Sequence, residues 1–134
     1  MKTFAFLGIN NLYDEYKKAG IAGISCGKYN GYVGIIGCDS VPLSCQGKRS
    51  YEDYDNSLDS KVDVHGGITF DGKFDETDSI IPITEIPADW WKYRIIGFDC
   101  ANFGDTEENC PFEFVKKETL RLQRQMEEII NKEI

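Results

Sequence analysis

The sequence predicts an α+β domain: a mainly antiparallel sheet of four to six strands, with a long C-terminal helix packed against it. Three observations lead there. Two apolar runs, Tyr29 to Gly37 and Tyr93 to Asp99, have strand character, and Val62 to Phe70 alternates apolar with polar residues. The stretch from Phe112 to about Asn131 carries apolar residues at helical spacing. The chain has 134 residues, the length of a single domain spanning 1–134. A chain of that size buries roughly two-thirds of its unfolded surface.

The start of the chain, to about Gly27, gives no clear strand signal. Asn11 is positioned to cap a short helix running through Lys18 and ended by Gly20, and Ile21 to Cys26 then reads as extended. In the Tyr29–Gly37 strand, Tyr32, Gly34 and Ile36 share one face, and Gly31, Val33 and Ile35 the other. Glycine inside a strand marks a close approach of a neighbouring group, a packing contact here before a ligand. Residues 38–62 are polar, with Pro42 and Gly47, and read as a long loop holding one helical turn. In Val62–Phe70, the residues Val64, Gly66, Ile68 and Phe70 face one way and Asp63, His65, Gly67 and Thr69 the other. Asp71-Gly72 supplies a turn signal. Residues 73–91 carry Pro82 and Pro87 and form an excursion with a short strand at Ile80–Ile83. Tyr93–Asp99 is apolar on both faces, as a central strand would be. Asn109 is placed to cap the last helix, with Pro111 in its first turn. Val115, Leu122, Met126, Ile129 and Ile130 make its core stripe, and Glu113–Lys117 and Arg124–Glu128 support it from outside.

Fifteen Lys and Arg face 23 Asp and Glu, a formal charge of −8. This excludes a general nucleic-acid coat, which rests on basic side chains, and disfavours an anionic membrane surface. The acids concentrate in residues 51–78, where nine stand against Lys61 and Lys73. The five cysteines, Cys26, Cys38, Cys45, Cys100 and Cys110, include no Cys-x-x-Cys. The apolar start is too short for a signal peptide, and no run reaches membrane-span length. These features read as a cytoplasmic protein with free thiols. Without ligand pairs at short spacing, no structural zinc site is expected, and no cofactor.

The residues with chemistry gather in two motifs, Asp63-Val-His-Gly-Gly-Ile-Thr-Phe and Trp90-Trp91 followed by Gly97-Phe-Asp-Cys-Ala-Asn-Phe-Gly-Asp. His65 is the single histidine. Asp99 or Asp105 can orient its imidazole, and the alternative is a histidine satisfied in a polar corner. A metal reading would combine His65 with Asp63, Asp99 and Asp105, a set suited to Mg²⁺, Mn²⁺ or Fe²⁺. Cys100 as nucleophile would need a lowered pKa; as a buried small hydrophobe it needs nothing. Gly66 and Gly67 can offer backbone N–H groups to an anion. Trp90, Trp91, Tyr93 and Tyr32 can stack on a base or fill a core. Arg94, Lys92, Lys48 and Arg49 are the candidate phosphate partners.

These two motifs, together with Gly31-Tyr-Val-Gly and Phe114-Val-Lys-Lys-Glu-Thr-Leu-Arg-Leu, resemble an uncharacterised family of short phage and prophage proteins. The resemblance spans about residues 24 to 130. The family pattern often has His where this chain has Asn102, which keeps hydrogen bonding but cannot titrate. The resemblance implies a small phage protein in the host cytoplasm, and by analogy one that sequesters a nucleotide second messenger of host defence.

The expectation is therefore a binding protein for a nucleotide-derived small molecule, such as a cyclic dinucleotide or a cyclic ADP-ribose. The ligand-binding set is His65, Gly66, Gly67, Thr69, Trp91, Arg94, Asp99, Asn102 and Asp105, with no metal. The alternatives are a hydrolase or phosphodiesterase using His65 with Asp99, and a protein–protein inhibitor acting through the acidic 51–78 region. A homo-oligomer is left open.

Overall fold

The structure, a computed structural model, describes residues 1–20, 26–37, 40–45 and 51–132. The proposed extension at Ile21–Ser25, Cys38, and the phosphate candidates Lys48 and Arg49 lie outside the described residues.

Five strands form one sheet, β1 (Thr3–Ile9), β2 (Tyr29–Ile35), β3 (Phe70–Gly72), β4 (Ile81–Pro82) and β5 (Arg94–Phe98), in the order β3-β5-β2-β1-β4. All the neighbouring pairs are antiparallel. Helix α1 (Asn11–Ala19) follows β1, and helix α2 (Phe112–Lys132) closes the chain and packs across β1 and β2. The fold is the α+β arrangement that the patterning predicts. Its central strand is β2, with β5 beside it. Pro82 sits in β4 at the sheet edge, the place where a residue without an N–H can enter a sheet.

Strand β1 is the element without a periodic signal, because it is apolar on both faces. Phe4, Ala5, Phe6 and Leu7 are all completely buried. Leu7, Val33, Ile35, Ile96 and Phe98 meet Val115, Leu122, Met126 and Ile130 of α2 in one core. Phe4, Phe6 and Ile95 enter a second, aromatic core with Trp90, to which Tyr32, Phe70, Phe74, Trp91 and Tyr93 pack. Its rings meet mostly edge to face, as Phe6 with Trp90 at 5.4 Å and Phe6 with Phe74 at 5.2 Å.

The glycines in β2 and β5 serve this two-sided packing. A Cβ on Gly31 would lie 2.0 Å from Thr119 Oγ1 and 2.5 Å from the Phe98 ring, so α2 sits directly on the strand backbone. A Cβ on Gly97 would strike the Tyr32 ring at 2.3 Å on the other face.

Two caps differ from expectation by one residue or one role. Asn10, rather than Asn11, caps α1 by accepting from the Leu12 N–H, and its Nδ2 donates to the Gly27 carbonyl just before β2. Gly20 ends α1 in the left-handed region, as expected. Asn109 does not cap α2. Its Oδ1 accepts from the Thr106 N–H and its Nδ2 donates to the Gly104 carbonyl, closing the turn before the helix.

The expected strand Val62–Phe70 is mostly not a strand. Only Phe70–Gly72 pairs with β5, and Asp71-Gly72 lies within that strand rather than in a turn. Residues 63–65 are drawn onto α2 instead. Gln125 bonds the backbone of Asp63 twice, accepting from its N–H and donating to its carbonyl, and Glu118 accepts from the His65 N–H. The chain then reverses at Gly66 and Gly67, at φ +70° and +79°, a region that favours glycine. The expected apolar face is split: Val64 and Ile68 reach the helix-side core, whereas Phe70 joins the aromatic one. The described residues between 40 and 62 hold more than one helical turn, with short 3₁₀ segments at Tyr51–Asn56 and Leu58–Ser60, and Leu58 fully buried.

Arg94 joins β5 to β3 and to the segment at 41–44. Its Nε and Nη2 donate to the two Asp71 oxygens at 2.8 and 2.9 Å, and Nη1 and Nη2 donate to the Val41 and Pro42 carbonyls. The Ser44 N–H donates to Asp71 as well. Burial alone would raise the Asp71 carboxyl, but the Arg94 and Ser44 hydrogen bonds hold it below its ordinary value.

A depressed carboxylate stabilises the fold above its unfolded pKa, about 3.9 for Asp, and that contribution is lost as pH falls through the lower folded value. Wild-type stability from urea unfolding is therefore expected to stay level for this group above about pH 5 and to fall below about pH 4. Asp71→Asn is expected to show a loss of about 2–3 kcal/mol already at neutral pH, with a shallower acid slope. An unchanged slope would show that Asp71 carries no such linkage. Gly31→Ala is expected to cost about 1–3 kcal/mol by overpacking, read in the same unfolding experiment, with Gly72→Ala, whose added Cβ would meet nothing closer than the Phe70 ring at 3.6 Å, as the comparison.

Candidate functional site

The two motifs meet where β5 ends. Beyond Phe98 the chain runs through turns from Asp99 to Pro111 before α2 begins. Asp99 Oδ1 accepts from the Ala101 N–H, bending the chain, and the Asp105 N–H then donates to the Asn102 carbonyl. This tight reversal carries Asp105 back toward the 62–69 segment.

His65 meets Asp105 there, with Nε2 2.9 Å from Oδ1. The imidazole stands edge-on to Phe114 at 5.4 Å, and its backbone is anchored by Glu118. Asp105 Oδ2 accepts from both the backbone and the side-chain N–H of Asn102, at 2.9 and 3.0 Å. Asn102 also donates to the Asp99 carbonyl. Burial would push the Asp105 carboxyl up, but the Asn102 N–H, His65 and the Asn102 amide together hold it below its ordinary value. The His65 side chain keeps 25% exposure and that of Asp105 only 7%.

Two cysteines complete the cluster. Cys100 and Cys110 are buried, and their sulfurs, with His65 and Asp105, offer donor atoms all within 4.8 Å of one another. Burial, followed by each other's proximity and the nearby carboxylates, pushes the Cys100 thiol above its ordinary range. Burial also raises Cys110. Both are neutral thiols at physiological pH, which removes Cys100 as a ready nucleophile. Gly27 lies against both: a Cβ there would strike Cys100 Cβ at 2.6 Å and Cys110 Cβ at 2.9 Å.

Of the expected ligand set, His65, Gly66, Asn102 and Asp105 come together, with the Asp99 backbone beside them. The imidazole's partner is Asp105, while the Asp99 carboxylate serves its own turn. Gly67 donates its N–H to the Val64 carbonyl, and Thr69 donates its N–H to the Gly97 carbonyl. Gly67 thus spends its N–H inside the turn rather than on an anion. Arg94 begins β5, about 16 Å of strand from Asp99, and is held by Asp71 and two carbonyls. Trp91 packs edge-on to Trp90 at 6.2 Å in the aromatic core. The metal set read from sequence is also rearranged: Asp63 binds Arg121 and Asp99 faces Ala101, while Cys110, which no sequence motif singled out, joins His65. Within the acidic region, Asp71 pairs with Arg94, Asp59 accepts from the Cys45 N–H and Asp75 from Thr77, so these acids are tied into local structure.

Two clefts lie elsewhere. One, of about 430 Å³, has Tyr32, Phe70 and Phe74 in its wall, with Asn11, Asp78 and Ser79 around them and Lys73 at its rim. The other, of about 380 Å³, is lined by Lys73, Lys92, Tyr93 and Arg94 together with apolar side chains. Lys73 belongs to both.

No family model, curated protein or solved structure matches this chain. No helix among the described residues is long and apolar enough to cross a membrane.

A Cβ at Gly66 would lie 2.2 Å from the Asn102 amide nitrogen, at a φ that disfavours side chains. Gly66→Ala is therefore expected to cost about 1–3 kcal/mol and to displace Asn102 from Asp105. The second effect is readable as a shifted Asn102 side-chain amide resonance. A stable variant with that resonance in place would show that the turn does not set the cluster.

Proposed function

We propose that this chain binds a nucleotide-derived small molecule without turning it over. In the phage setting that its resemblance implies, it would sequester a nucleotide messenger in the host cytoplasm. The observation that supports this reading is the pair of clefts sharing Lys73. The aromatic cleft suits a base or nicotinamide-like ring, and Asp78, Ser79 and Asn11 suit ribose hydroxyls and base edges. Lys73 and Lys92, both exposed, give phosphates a local cationic edge in an acidic protein. Beside Tyr32, the buried Asn30 Oδ1 has no hydrogen-bond partner among the described residues. On this reading the base sits against the aromatic wall and the phosphates run past Lys73. The binding set thus moves from the His65 motif to residues 73–79 and the aromatic face.

A second reading, a hydrolase, is favoured by the partly exposed His65 held by Asp105, which is the geometry of an oriented general base.

Equilibrium dialysis against cyclic mononucleotides, cyclic dinucleotides and ADP-ribose isomers separates them, with chromatography of the ligand after heat denaturation. One class is expected to bind and to return intact. Phe74→Ala is expected to weaken it about 5- to 150-fold, since stacking contributes about 1–3 kcal/mol per base. Lys73→Ala is expected to weaken it and flatten its salt dependence. A panel without any binder overturns the proposal. A ligand that returns as product replaces it with the hydrolase, and His65→Ala would then abolish turnover.

A further inference from the structure

We propose that His65, Cys100, Asp105 and Cys110 form a binding site for a divalent metal ion of the zinc type. The inference is independent of the nucleotide reading, since it uses none of the cleft residues.

The argument begins with donor geometry. In a tetrahedral zinc site with bonds of about 2.0–2.3 Å, neighbouring donors stand about 3.3–3.8 Å apart. Here all four donor atoms lie within 4.8 Å of one another, and His65 Nε2 and Asp105 Oδ1 are 2.9 Å apart. An ion therefore needs shifts on the order of 1 Å, within the reach of side-chain rotation. The donor set selects the ion. Two sulfurs and an imidazole suit zinc-like ions, while Mg²⁺ and Ca²⁺ take oxygen.

The supporting groups are also in place. Both N–H groups of Asn102 engage Asp105 Oδ2, while Oδ1 faces His65 Nε2. This is the orienting contact that metal-binding carboxylates need. Glu118 anchors the His65 backbone on α2, and the Gly27 N–H donates to the Cys100 carbonyl at 2.6 Å. Cys100, Asp105 and Cys110 are buried, and His65 is the side open to solvent. Four protein donors with three of them buried describe a closed, structural site. Its ion would tie the 62–69 segment and the start of α2 to the end of β5.

The test is a cobalt titration of the full chain, first stripped of metal and kept under a phosphine reductant, with no nucleotide present. Expected are one Co²⁺ per chain, a thiolate charge-transfer band in the near ultraviolet, and the strong visible bands of tetrahedral cobalt, all bleached by Zn²⁺. Cys110→Ser and His65→Ala should lose the tetrahedral spectrum. Asn102→Ala should weaken binding about 10- to 100-fold, and Cys45→Ser should change nothing. A wild-type spectrum without thiolate bands overturns the proposal whether or not any variant folds. So does a spectrum lost in Cys45→Ser and kept in Cys110→Ser, or a Cys100–Cys110 disulfide that persists under the reductant.

Discussion

Strand β1 must be covered on both faces, and most of the architecture follows from that. Phe4 and Phe6 face one way and Ala5 and Leu7 the other, and none of them keeps any exposure. A single layer cannot satisfy such a strand. Helix α2 covers one face, and the segment from Phe74 to Tyr93 wraps its aromatic residues over the other. In a short chain, both covers must come very close to the sheet. Gly31 admits α2, and Gly97 admits the Tyr32 ring, so the glycines inside the strands are packing devices.

The segment between β5 and α2 is organised differently. It has no ladder of its own and is held by side chains that close successive turns: Asp99 on Ala101, Asp105 on Asn102, and Asn109 on Thr106 and Gly104. Its inward residues are Cys100, Asp105 and Cys110, small or polar groups rather than large apolar ones. Hydrophobic burial stabilises such a segment only weakly. The His65–Asp105 contact and the bonds from Gln125 and Glu118 are what join it, through the 62–69 segment, to the helix. Fold and cluster are coupled there, because the residues that turn 62–69 away from the sheet also deliver the imidazole.

The two sides of the sheet thus present different chemistry. The helix side ends in a compact polar cluster with thiols, and the aromatic side carries the open cleft walled by Tyr32, Phe70 and Phe74. Arg94, which by residue type looks like a phosphate ligand, is instead committed to Asp71 and two carbonyls. A guanidinium with that many internal partners is a structural strut.

The class of fold, the strands at β2 and β5, the short strand near Ile81 and the C-terminal helix were legible along the chain. Each of these rests on local periodicity or on a residue type with one dominant use. Strand β1 was not legible, because a strand buried on both faces has no alternation to read. The Val62–Phe70 stretch was misleading, because its alternation reads as a strand while the chain reverses at Gly66 and Gly67 and is pinned to the helix. That Asp105 rather than Asp99 orients His65, and that Cys100 and Cys110 join them, follows from how the chain folds back on itself. Turns between distant positions set those distances, and the Cys-x₄-Asp-x₄-Cys spacing has no local geometry that would announce it.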